Sequence, residues 1–146
     1  MNGLDAVQRI EDASFGDSNI PFPLRVFLNF LRKYPDGFRI AEQESSVVGY
    51  CYISPPERKL FTKGLKSTIY SLAVSPGQRR LRIGSMLLRD AIDRLRGQDV
   101  VLELQVAVQN FEALELYKKF GFVLTGMRRH YYGAGKDAYE MHLEIP

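Results

Sequence analysis

The chain has 146 residues, 45% of them hydrophobic and 25% charged, with a formal net charge of +3. That is the size and balance of one soluble globular domain, and no apolar run approaches the ~18 residues that a membrane span needs. A single cysteine, Cys51, excludes an internal disulfide. No Cys/His cluster has metal-ligand spacing, and a reducing cytoplasm is the expected compartment. The mild positive charge admits an anionic ligand without calling for nucleic acid.

In chain order, the opening MNGLDAVQRIEDASF carries acids where an export signal would have a basic flank, so none is expected. A short helix is expected over 4–14. Leu24, Phe27, Leu28 and Leu31 recur at i, i+3, i+4 and i+7, which predicts a helix over 23–34 with Pro23 in its first turn. YPDG is a turn, followed by two hairpin strands over 38–43 and 47–54. SPPERK breaks the chain, and 59–66 reads as a basic loop. Residues 68–74 predict a strand with Thr68, Tyr70, Leu72 and Val74 on one face.

Gly84, Leu87, Leu88, Ala91, Ile92 and Leu95 then form a helical stripe closed by Gly97. Residues 100–108 predict a strand with Leu102, Leu104 and Val106 on one side. Val101, Glu103, Gln105 and Ala107 lie on the other. A helix over 110–120 is capped by Asn110 and stopped by Gly121. Two last strands, 122–128 and 137–145, follow, the second alternating strictly. This order predicts one α/β domain over 1–146, a mixed sheet covered by helices.

The segment SLAVSPGQRRLRIGSMLL runs from strand through turn to helix. Such a turn aims free backbone N–H groups and the positive end of a helix dipole at one spot. Taken alone, Arg79, Arg80 and Arg82 read as a solvated basic face. The segment resembles motif A of the GNAT family of N-acetyltransferases, Gln/Arg-x-x-Gly-x-Gly/Ala, with Arg79 first and Gly84 last. The resemblance implies that Arg80, Leu81, Arg82, Ile83, Gly84 and Ser85 hold the pyrophosphate of acetyl-CoA. It also implies that Leu72, Ala73 and Val74 run beside the pantetheine. Arg82 stands in the place of the middle glycine: it offers a charge-assisted contact but lacks glycine's freedom at positive φ.

NFEALELYKKFGF is similar to the family's Asn-x-x-Ala-x-x-Leu-Tyr-x-x-x-Gly-Phe element at every fixed position. This implies a cofactor contact for Asn110, and for Tyr117 a place near the thioester sulfur as general acid. RRHYYGAGKDAYEM resembles the tyrosine hairpin of N-terminal protein acetyltransferases, which implies that Tyr131 and Tyr132 hold the backbone of a peptide substrate. Ala134 and Lys136 stand where those enzymes carry acids. The resemblance covers 4–145 and implies a central mixed sheet flanked by about four helices. The family's first strand has no counterpart, so the chain is expected to open on a helix.

In ribosomal-protein alanine acetyltransferases a glutamate lies five residues before the motif asparagine; here that residue is Gln105, which can hold a water but cannot take its proton. Glu103, roughly 7 Å away along the same strand face, is the candidate base, with Thr68, Tyr70, His130 and His142 weaker. An α-amine of pKa near ~8 is about a tenth neutral at pH 7, whereas a lysine near ~10.4 needs roughly 3 kcal/mol more to deprotonate. A site without a strong base suits the α-amine. The expected function is acetyl-CoA-dependent acetylation of protein or peptide N-termini through a direct ternary complex. Acetylation of a small-molecule or lysine amine, or CoA binding without catalysis, remain alternatives.

Overall fold

The computed structural model describes residues 24–58, 60, 63–77 and 82–146, so the helix expected over 4–14 and the residues Arg79, Arg80 and Leu81 lie outside it. Helix α1 (Leu24–Lys33) leads through a short 3-10 turn into the hairpin β1 (Phe38–Gln43) and β2 (Ser46–Ile53). Then come β3 (Glu57–Arg58), β4 (Leu65–Val74), α2 (Ile83–Leu95), β5 (Val100–Ala107), α3 (Phe111–Lys119), β6 (Val123–Arg128) and β7 (Ala138–Ile145). The strands form one sheet in the order β1-β2-β4-β5-β7-β6, with β3 alongside β4. Only β4 and β5 run parallel, joined by α2 as their crossover.

The core lies between one sheet face and helices α2 and α3. Leu87, Leu88, Ala91, Ile92 and Leu95 of α2 pack against Val48, Cys51, Ile53 and Ile69, and the cluster continues through Leu102, Leu104, Leu114, Tyr117 and Met141. The apolar stripe read in α2 and the strict alternation of β5 meet here, as their periods require. The opposite face carries α1 and an aromatic group. Phe30 stacks on Tyr52 with ring centroids 4.3 Å apart and on Tyr70 at 5.3 Å. Among the described residues no helix is long and apolar enough to cross a membrane.

Two expectations change. Residues 59–66 do not stay a loop throughout: Glu57 and Arg58 pair with Lys66 and Leu65, so β4 starts three residues before Thr68. Charge suggested a loop, yet Leu65 and Lys66 also pair with Val100 and Val101 of β5. In α1, Leu28 is exposed while Phe30 stacks on the sheet.

The second change matters more. Tyr52 pairs with Ser71 while the next residue, Ile53, pairs with Ile69, so β4 carries an extra residue at Tyr70. This β-bulge reverses the side-chain alternation. Tyr70 faces α1, whereas Leu72 and Val74 lie opposite Cys51 and Gly49 on the α2 face. The expected common face of Tyr70, Leu72 and Val74 therefore does not exist. Ser71 is carried to the α1 side instead, where its Oγ lies 2.6 Å from the Tyr50 hydroxyl.

Candidate active site

The parallel pair β4–β5 is held together only from Leu65–Val100 to Ile69–Leu104. Beyond that point β4 runs on to Val74 and β5 to Ala107 without pairing to each other. The bulge at Tyr70 sits just above the parting, and a bulge leaves backbone groups of the extra residue outside the ladder. A cavity of about 530 Å³ occupies the opening. Leu72, Ala73 and Val74 form one wall, Ala107 and Val108 the other, and Ala113, Leu116 and Tyr117 of α3 the floor.

The mouth is built by the start of α2. Arg82, Gly84 and Ser85 line it, together with Asn110 and with Lys136 and Asp137 from the β6–β7 loop. Among the described residues the first helical hydrogen bond of α2 runs from Met86 N–H to the Arg82 carbonyl, which places the N–H groups of 83–85 at the N-terminal end of the helix. No acidic residue stands in this first turn. Arg82 takes φ 62° and ψ 22°, the left-handed conformation a glycine would adopt easily. Ile83 is buried in the core rather than turned to the cavity.

Asn110 uses its side-chain oxygen to accept the Ala113 N–H at 3.2 Å, which caps α3 and leaves its amide N–H groups as donors. Tyr117 is buried, edge-on to Phe122 with ring centroids 5.5 Å apart. Burial, with Cys51 and Tyr132 adding to it, raises its pKa well above the tyrosine range. Its hydroxyl thus stays a proton donor. The structure brings eight of the sequence-derived residues to this cavity: Leu72, Ala73, Val74, Arg82, Gly84, Ser85, Asn110 and Tyr117.

Glu103, Gln105, Tyr131 and Tyr132 are not among the lining residues. Glu103 accepts from Thr68 Oγ1 at 3.4 Å and pairs with Lys66 Nζ at 3.6 Å. Gln105 lies one residue above the parting of β4 and β5. Its backbone carbonyl accepts from the Tyr132 hydroxyl at 3.4 Å, and Tyr131 stands edge-on to Tyr132 at 4.9 Å. The hairpin tip is braced internally: His130 N–H donates to Asp137 and Gly135 N–H donates to His130 Nδ1. His130 is thus engaged within the loop.

Sequence reasoning missed Lys136 and Asp137 as cavity residues. Lys136 was read only as a replaced acid in the hairpin, and its place at the mouth depends on how the β6–β7 loop folds back over β5.

A cleft between parted parallel strands, with a helix N-terminus and the cations Arg82 and Lys136 in its lining, suits a ligand with an anionic end. The pattern of the acetyltransferase (GNAT) family matches residues 4–122. An N-alpha-acetyltransferase of Sulfurisphaera tokodaii is 36% identical over 131 residues, spanning 82% of this chain and 76% of its own. The N-alpha-acetyltransferase RimI of Mycobacterium tuberculosis is 35% identical over 122 residues, spanning 83% and 74%. The crystal structure of Ard1 from Thermoplasma volcanium matches with a TM-score of 0.85 at 28% identity, over 98% of this chain and 91% of that one. The chain belongs to the GNAT family and is an acetyltransferase.

Proposed function

We propose that the protein transfers the acetyl group of acetyl-CoA to the α-amine of protein N-termini, with both substrates bound at once. The observation that carries this reading is the parting of β4 from β5 above Ile69 and Leu104, with the cavity that fills it. Above that point the edge of β4 turned to β5 has no neighbouring strand, which suits the amides of an extended pantetheine arm. The amides of 83–85, Arg82 and Lys136 suit its phosphates. Acetyl-CoA supplies an activated acyl group as a thioester. The rest falls to the protein: Tyr117 donates a proton at the cavity floor, and the tyrosine hairpin supports a peptide backbone beside Gln105.

The α-amine is favoured over lysine because its lower pKa leaves roughly 3 kcal/mol less deprotonation to the site, and Gln105 can hold a water but cannot itself take its proton. The names of the relatives from Sulfurisphaera and Mycobacterium point the same way. Direct transfer, without an acyl-enzyme, is supported by Cys51. It is the sole cysteine, it is fully buried, and burial pushes its thiol up to about 12. A thiol so held has almost no thiolate at neutral pH. Iodoacetamide at about pH 8 should therefore leave Cys51 unmodified in the folded protein and label it in urea. Labelling of the folded protein would reopen a covalent acyl-cysteine route.

The function itself is tested by incubation with labelled acetyl-CoA and a peptide library, followed by mass-spectrometric location of the label. Label on α-amines, at least about tenfold above lysine side chains, is expected from the difference in amine pKa. Label on lysine, on small amines alone, or nowhere would favour the other readings.

A further inference from the structure

We infer that Glu140 of β7, rather than Glu103, receives the proton that the incoming amine must lose. The inference rests on the α-amine reading above. Glu140 is the direct cross-strand partner of Gln105, so the two side chains leave the same sheet face about 5 Å apart. Both stand one residue above the level at which β4 and β5 part. Glu103 stands below it, where Thr68 of β4 still pairs with it.

The partners of the two carboxylates differ as well. Glu103 has both oxygens engaged, one by Thr68 and one by Lys66. Glu140 has Oε1 held by Arg128 Nε at 3.0 Å, while Oε2 has no partner among the described residues. Its carboxylate lies over Gly126, where an added Cβ would stand 3.7 Å from Oε1. Arg128 also covers the Tyr131 ring at 5.7 Å, which ties the carboxylate to the hairpin that supports the peptide. One cation thus sets the carboxylate and the peptide-holding tyrosine in register. The other ionisable groups on this face include Glu103, His142 and Glu144, the tyrosines Tyr50, Tyr52 and Tyr70, Arg128 on Glu140 itself and the two hairpin tyrosines, with Lys66 reaching it through Glu103.

In the step, the bound α-ammonium passes one proton through a water held by the Gln105 amide to Glu140 Oε2. Its freed lone pair forms the C–N bond as the thioester C–S bond breaks. Tyr117 protonates the departing thiolate, the second nitrogen proton restores the Tyr117 hydroxyl, and Glu140 returns its proton to solvent. Product, thiol and one released proton account for every atom.

The test measures kcat/KM from pH 6 to 9, with an α-amine peptide and saturating acetyl-CoA, for the parent and for Glu140→Gln, Glu103→Gln and His142→Gln. Affinity for the N-acetylated product peptide is measured alongside. Below the amine pKa of about 8, a site without a relay follows the neutral-amine fraction, tenfold per pH unit. Glu140→Gln should approach that slope and fall at least about tenfold below the parent at pH 6, closing the gap by pH 9, with product affinity unchanged. The His142→Gln profile should keep the parent's slope.

A Glu140→Gln profile parallel to the parent, or an equal loss at every pH, would overturn the inference. So would steepening confined to Glu103→Gln or His142→Gln. Absence of α-amine transfer by the parent would overturn the acceptor reading, and this inference with it.

Discussion

Tyr117→Phe lowers kcat by about a hundredfold or more and leaves the affinity for CoA nearly intact. The substitution removes one hydroxyl from the cavity floor and keeps the ring that packs edge-on to Phe122. Folding should therefore be little affected. Because burial holds the Tyr117 phenol above its ordinary range, the proton is present throughout working pH, and the parent's kcat should not fall between pH 7 and 10 through its ionisation. Single-turnover acetyl transfer together with calorimetric titration of CoA separates the two effects. An unchanged kcat would leave Tyr117 a packing residue.

Arg82 gives the second large effect, because two substitutions divide its backbone from its charge. In the left-handed region a non-glycine residue costs about 1–2 kcal/mol, so this turn holds strain that a glycine would not. Arg82→Ala keeps the strain and removes the guanidinium; Arg82→Gly removes both. Each should weaken CoA binding by tenfold to about a hundredfold, the worth of one charge-assisted contact. The glycine variant should nonetheless melt higher than the alanine variant, by the strain it relieves. If Arg82→Gly binds CoA as tightly as the parent, the position acts through its backbone alone.

Local chemistry wrote much of this site legibly. The Asn110 cap, the stripe of α2 and the alternation of β5 are short-range patterns that set the elements, while the resemblance of two segments to family motifs is what pointed to Asn110, Gly84 and Tyr117 sharing one cavity. The bulge at Tyr70 left no such trace. No glycine or proline marks it, and it shows only in the pairing with β2, where Tyr52 and Ile53 skip one residue of β4. Without it, regular alternation puts Leu72 and Val74 on the face of Thr68 and Tyr70. Nor does helical spacing announce the stacking of Phe30 on Tyr52 and Tyr70, which depends on the rings that the sheet presents. Glu140 could not be set beside Gln105 before the register of β5 with β7 was known. An alternating strand shows which residues share a face, but not which residue of the next strand each one meets.

Initial rates of acetyl transfer to a peptide with a free α-amine, at varied acetyl-CoA and varied peptide, test most directly whether one cleft holds donor and acceptor together. The double-reciprocal lines should converge, as direct transfer between two bound substrates requires. Parallel lines would demand an acyl-enzyme that the buried Cys51 cannot provide, and no turnover at all would contradict the cleft as a transferase site.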